Sequence, residues 1–443
     1  MNSRTLWLLG AGLLCMAGAV SAVETQGLNG ANPHLVHLVR PRTAPLSAMA
    51  QLGRAIFYDA SLSSSGALSC ASCHSPDHHY GPPNDGPVML GGPDLSRQGA
   101  RAVPSLTYLE RTPNFSIGPE QSDDDNIVPA AQMAALGQQT ARAKKTATGT
   151  AASAANIVPQ GGLFWDGRAD TLQDQALFPL LDSREMDGGS AERVANKLRH
   201  APYAERFTGL FGVGVLNDTR LLVAEAMFAV ARYQFEDASF HPYTSKFDYW
   251  LEGKARLSES EMRGLQLFND PDKANCGGCH LSSPTRDGLP PLFTDHQYEA
   301  LGAPRNAALA QNRDPAFFDL GACGPQRKDI ADQTQYCGMF VTPTLRNTAT
   351  RHAFFHNGVF HSLQEVLDFY NFRDTNPEKV FPHAADGSVK KYDDLPAKYH
   401  ANVDVSDSPF DRHPGETPAM TAQDEADIIA FLNTLTDGYR PEN

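Results

Sequence analysis

The run Cys70-Ala71-Ser72-Cys73-His74 returns, about two hundred residues later, as Cys276-Gly277-Gly278-Cys279-His280. A C-x-x-C-H run is the attachment signature of a c-type haem, in which two thiols take thioether bonds from the vinyl groups and the adjacent histidine ligates the iron. The two-residue gap puts both sulfurs on one side of a single turn, leaving His74 or His280 to face the iron of the same porphyrin. A redox-active C-x-x-C pair or half of a zinc site would account for one copy. Two copies, each ending in His, point to two covalently bound haems c.

Haem c is attached outside the cytoplasm, and the N-terminus agrees with that. Arg4 precedes the apolar stretch LWLLGAGLLCMAGAV, and Val20-Ser21-Ala22 supplies small residues for cleavage, so residues 1–22 read as a signal peptide and the mature chain as periplasmic. Cys15 lies inside that stretch after Leu14, which is not a lipoprotein pattern, and leaves with the leader. No later stretch is long and apolar enough to span a bilayer. Of the seven cysteines, four would attach haem and one is removed. Cys323 and Cys337 enclose a short loop, and in an oxidising compartment a disulfide is the expected use, worth on the order of 3 kcal/mol by loop entropy. A free-thiol or metal role has less support, because no Cys or His lies within that loop. The net charge of -14 argues against nucleic acid as a partner. It is compatible with a basic protein partner, or simply with a solvated acidic surface.

Upstream of each haem motif the chain fits G-x-x-[IL]-F-x-D: Gly53 to Asp59 before the first, Gly264 to Asp270 before the second. Apolar positions in MAQLGRAIF and MRGLQLF recur at helical spacing, so each haem is introduced by an amphipathic helix and a short loop. This is an internal duplication of a small cytochrome c unit. Further helices are expected over TRLLVAEAMFAVARYQF and over AQDEADIIAFLNTLTDG, with Thr421 as cap and Gly438 as stop. Strand-like alternation is scarce, and 36 Gly with 31 Pro imply long loops. The expected fold is all-α, with an N-terminal haem domain over 23–240 and a C-terminal one over 241–443. Between about 111 and 160 the composition shifts to Ala, Thr, Gln and Asp, which reads as an insertion: a surface excursion, or else a partner-docking element.

Taken with Phe164-Trp165-Asp166-Gly167-Arg168, Pro343-Thr344-Leu345-Arg346-Asn347 and Phe355-His356-Asn357-Gly358, these motifs resemble the bacterial di-haem cytochrome c peroxidase/MauG superfamily from roughly Leu46 to the C-terminus. The resemblance implies that hydrogen peroxide reacts at the N-terminal haem and that the C-terminal haem passes or stores electrons. Trp165 then stands between the haems, although alone it would read as a core aromatic. Glu185 falls where the family keeps the acid that moves protons as the O–O bond breaks, and Gln175 and Pro179 fall on positions lining that pocket. Read alone, Glu185 would be a surface charge.

Within the superfamily, ordinary peroxidases ligate the C-terminal haem with a Met and often cap the N-terminal haem with a His. Here the position matching the Met is Tyr370, and the loop Val88-Met89-Leu90-Gly91-Gly92-Pro93 holds no His. A phenolate is a hard ligand that favours ferric and higher states. The likeness is therefore to the Tyr-ligated branch, MauG- or MbnH-like. It implies a high-valent di-haem state that oxidises Trp residues of a secreted partner protein, a copper-binding one in the MbnH case. The alternative is reduction of hydrogen peroxide with electrons from a small cytochrome or cupredoxin. Ala274 stands where MauG has its exit Trp, which leaves Trp165 and Trp250 as indoles of the mature chain. The family's inter-haem calcium would map to the carbonyls of Arg351 and Ala353, with its Asn ligand replaced near Tyr108.

Overall fold

The structure is a computed structural model that describes residues 29–119 and 157–441. The leader 1–22 and the centre of the insertion lie outside the described residues.

Two helix pairs carry the fold. In the first, helix Ala48–Phe57 starts at Ser47, whose side chain accepts the Ala50 N–H, and buries Leu52, Ile56 and Phe57. It crosses the 18-residue helix Thr219–Glu236, capped by Asp218. The crossing is set by Gly53, where a Cβ would lie 1.8 Å from the Ala229 carbonyl oxygen. In the second pair, helix Glu259–Phe268 starts in a capping box between Ser258 and Glu261 and crosses Ala422–Asn433, which has its own box between Thr421 and Asp424. There a Cβ on Gly264 would lie 2.0 Å from the Asp427 carbonyl oxygen. The glycine of the repeated motif is thus the point where two helix backbones touch, and the motif's Phe, at 57 and 268, fills the core beside it. Burial of each such aromatic or aliphatic side chain stabilises by about 1.5–3 kcal/mol.

Helices Leu172–Leu181 and Ala191–Arg199 complete the first core against Thr219–Glu236. The second core contains Phe247, Phe268, Phe293 and Phe431, and also Leu38. The chain from Gly30 to Arg40 runs along this second core: Gly30 O accepts the Leu257 N–H at 2.9 Å, Val36 N–H donates to Leu251 O at 2.9 Å, and Arg40 pairs with Glu252 at 2.8 Å. The opening of the chain therefore packs on the half that follows it in sequence.

The molecule is helix-rich but not purely helical. Three antiparallel two-stranded ladders close loops: Leu90–Gly91 with Arg97–Gln98, Ser116–Pro119 with Ile157–Gln160, and Tyr298–Glu299 with Phe340–Val341. The second is the stem from which the insertion leaves and to which it returns. Too short to show alternation, these ladders left no signal in the sequence pattern. The last helix stops at Asn433 rather than at Gly438, because the Thr434 hydroxyl bonds back to Phe431 O and Asp437 is held by Asn347. Cys323 and Cys337 form a disulfide. Among the described residues no helix is long and apolar enough to cross a membrane.

Candidate functional site

Cys70–Cys73 forms a single helical turn with His74 next in the chain. The His74 ring Nδ1 lies 3.1 Å from Tyr80 O, and the His280 ring Nδ1 lies 2.9 Å from Phe293 O. Tyr80 and Phe293 both take φ +55, which turns their carbonyls inward. Burial holds both imidazoles well below their usual range, at about 4, so they are neutral. With Nδ1–H donated to a carbonyl, Nε2 is the lone-pair nitrogen, as an iron ligand requires.

The four C-x-x-C thiols are unpaired, and burial pushes those of Cys70, Cys73 and Cys276 up to about 12. A redox pair depends on a depressed thiol pKa, and burial shifts these thiols the other way. Among the described residues no group of three or more His, Cys, Asp and Glu is arranged to hold a metal ion. Two cavities meet the motifs. The larger, about 370 Å³, is lined by Cys276, Cys279, His280 and Tyr370; the smaller, about 100 Å³, by Cys70, Cys73, His74 and Glu185. On the wall of the larger lies Arg351, half-buried, its guanidinium held down to about 10 by desolvation and bonded to Val103 O. A desolvated cation with no carboxylate partner among the described residues suits an anionic group such as a haem propionate. The residues present fit two haems c.

Each expected site residue can now be placed. Trp165 lines both cavities; its indole N–H donates to Ala102 O at 2.8 Å and its carbonyl accepts from Val341 at 3.0 Å. The neighbouring Asp166 is fully buried and ties this turn down through Arg101 and Arg168, both at 2.8 Å, while Arg101 also grips Asp319 at 2.7 Å. Gln175, Pro179 and Glu185 converge on the smaller cavity. Burial, and then the charge of Asp182, push the Glu185 carboxyl up to about 7. The histidine-free loop is fastened beside it: Gly92 N–H donates to Glu185 O, and a Cβ on Gly91 would lie 2.5 Å from that oxygen. Met89 and Leu90 of this loop line the cavity.

In the other half Tyr370 sits on helix Leu363–Phe372, stacked on Phe410 at 5.2 Å. Its phenol is raised by burial first, then by Cys279 and Cys276, the thiols that would hold the second haem. Ala274 lines the same cavity. Trp250 does not line either cavity; it stacks on Phe247 in the second core with its N–H on Gly30 O. Arg351 and Ala353, the residues assigned to calcium, line the larger cavity, while the phenol of Tyr108 is committed to Asp437.

A further repeat escaped the sequence reading. Pro104-Ser105-Leu106-Thr107-Tyr108 is the counterpart of Pro343-Thr344-Leu345-Arg346-Asn347. Tyr108 (φ +67) and Asn347 (φ +60) both turn left-handed to start short 3-10 helices, and both bond to Asp437. The signal was present as P-[ST]-L-x-[YN], blurred by Tyr in place of Asn at a position that favours Asn.

Comparisons with known proteins agree with this geometry. Residues 47–256 match the family model described as di-haem cytochrome c peroxidase. The methylamine utilization protein MauG of Paracoccus denitrificans is 31% identical over 407 residues, covering 89% of this chain and 90% of that one. The crystal structure of the diheme peroxidase BthA from Burkholderia thailandensis superimposes with a TM-score of 0.74 at 35% identity, covering 93% of this chain and 94% of that one. A MauG-like protein associated with microbial copper homeostasis shares the fold at a TM-score of 0.56 and 23% identity, over 92% and 95% of the two chains. The chain belongs to the di-haem cytochrome c peroxidase family and is an oxidoreductase acting on peroxide, with two covalently bound haems c.

Proposed function

We propose that this is a periplasmic enzyme that uses hydrogen peroxide at the N-terminal site and delivers the oxidising equivalents to an aromatic side chain, a Trp, of a secreted partner protein. The observation that carries the reading is Tyr370, which lines the same cavity as the attachment thiols of the second site, where a thioether would otherwise ligate. The haems, when bound, would give up the two electrons that reduce peroxide and store the resulting oxidising equivalents. His74 and His280 would hold the irons, and Tyr370 would offer its oxygen to the second. Glu185 takes a proton from the near oxygen of peroxide and returns it to the far one, for which a carboxyl at about 7 is suited near neutral pH. Gln175 and Pro179 shape that pocket and limit water. Trp165, held by Ala102 and Val341, stands on the walls of both cavities and links them. Calcium on the carbonyls of Arg351 and Ala353 is a separate part of the reading, supported by their place on the larger cavity.

A second reading, peroxide reduction with electrons from a small cytochrome or cupredoxin, is favoured by the likeness to a diheme peroxidase at 35% identity. One measurement tests the ligand assignment and another separates the two readings. Ferric EPR should show one high-spin and one low-spin centre, with the low-spin signal lost in Tyr370→Phe; an unchanged signal would overturn the ligand assignment. Peroxide added with a candidate partner should give an oxygen-bearing mass gain on one Trp. Rapid turnover with a reduced cytochrome, and an unmodified partner, would select the second reading.

A further inference from the structure

The duplicated frame allows position-by-position comparison of the halves. Phe57 corresponds to Phe268 through the shared motif, so Tyr58 corresponds to Asn269. Tyr80 corresponds to Phe293, because each gives its carbonyl to the proximal histidine at φ +55. Gly53 meets Ala229 as Gly264 meets Asp427, and four residues on from those contacts Tyr233 corresponds to Phe431. At all three places the first half has tyrosine, and the second half has none.

These three tyrosines form a connected set. The ring of Phe57 makes edge contacts with Tyr80 at 6.2 Å, Tyr233 at 5.5 Å and Tyr58 at 5.4 Å. The phenol of Tyr233 shares side-chain hydrogen bonds with those of Tyr80 and Tyr58. Tyr80 and Tyr233 are 2% exposed and Tyr58 is 44% exposed, so the set runs from the proximal side of the first haem site to solvent. A phenol gives up an electron at neutral pH only if its proton has somewhere to go. Tyr80 has an outlet: its hydroxyl lies 2.6 Å from Ser239 Oγ, and Ser239 Oγ donates at 2.6 Å to Asp237.

We propose that Tyr80, Tyr233 and Tyr58 are a relay that carries oxidising equivalents from the peroxide-reacting site to the surface. Reduction of one hydrogen peroxide to two waters takes two electrons and two protons. For each electron, Tyr80 loses one to the oxidised site and passes its phenolic proton to Ser239, which hands its own proton to Asp237. Tyr233 refills Tyr80 by passing an electron and its phenolic proton across their hydrogen bond, and Tyr58 refills Tyr233 in the same way. Tyr58, exposed to solvent, regains an electron from a one-electron donor or an oxidisable side chain of a partner docked there and a proton from water. The proton left on Asp237 goes to solvent, so each turnover draws two electrons from the donor and, net, two protons from water. Electron tunnelling falls steeply with distance, so short steps between oxidisable rings outrun one long jump. The second half, with Phe293 and Phe431, has no such outlet.

The test uses the ferric di-haem protein mixed with hydrogen peroxide in the absence of donor, frozen rapidly and read by EPR. A radical signal that narrows in protein carrying ring-deuterated tyrosine is expected, and Tyr80→Phe should abolish it while leaving the ferric haem spectrum intact. Ser239→Ala, which keeps the ring, should slow radical formation and change its solvent isotope effect. A radical of equal yield and line shape in Tyr80→Phe would overturn the proposal. Should that variant fail to take up haem, Tyr58→Phe serves at the exposed end: the radical should live longer on the buried rings, and an unchanged lifetime would overturn the relay.

Discussion

Around Phe57 the first half places Tyr58, Tyr80 and Tyr233; around Phe268 the second half places Phe293 and Phe431, with Asn269 next in the chain. The helix crossings, the left-handed turns and the carbonyl supports of the two histidines are otherwise matched. On the opposite face the contrast is reversed in kind. The first half presents Glu185 and the second presents Tyr370. Under the proposed function these few side chains would specialise a duplicated frame, one half to react and discharge, the other to hold charge.

The largest effect that could break this comparison is loss of one haem alone. Mass spectrometry of the exported protein should show two haem additions, and Cys276→Ala or His280→Ala should remove one while the first half keeps its own. Loss of both would mean that the halves are not separable. Next in size is the proton step. Because burial raises the Glu185 carboxyl to about 7, it is protonated and unable to accept a proton at low pH, and it is a carboxylate above. The rate of the peroxide reaction should therefore rise with pH through about 7 and level off. Glu185→Gln should slow that step by roughly 10²–10⁴-fold and flatten the profile, as read by stopped-flow absorbance.

Smaller effects sharpen the match between frames. Gly53→Ala and Gly264→Ala each force a methyl onto a helix carbonyl, and each should cost about 1–3 kcal/mol or more in denaturant unfolding. A large loss in only one would show that the two crossings are not equivalent. The smallest change expected is in Gly209→Ala, where a Cβ meets nothing within 4 Å on helix Ala204–Phe211. Helix propensity alone should make it neutral or stabilise it by up to about 1 kcal/mol.

The parts of this plan that depend on side-chain chemistry were legible in the sequence. Both C-x-x-C-H runs, the G-x-x-[IL]-F-x-D repeat, the Cys323–Cys337 pair and the composition shift at the insertion all use residue types with narrow meanings. What stayed hidden is carried by backbone. The carbonyls of Tyr80 and Phe293 support the histidines through a left-handed turn that any residue name can conceal. The packing of Gly30–Arg40 on the later half joins positions more than two hundred apart, beyond any local period. The three ladders are two to four residues long, too short for alternation to register. Arg351 entered the sequence reading only through its carbonyl, as a calcium ligand; the desolvated guanidinium, with no carboxylate partner among the described residues, became visible only in the structure.

Asp437 ties the two halves together. It receives the phenol of Tyr108 from the first half and the amide of Asn347 from the second. Each half encloses a core of its own, but the seam between them closes on this one carboxylate, which follows both turns in the chain. The cores can therefore form as separate cooperative units before the seam joins them.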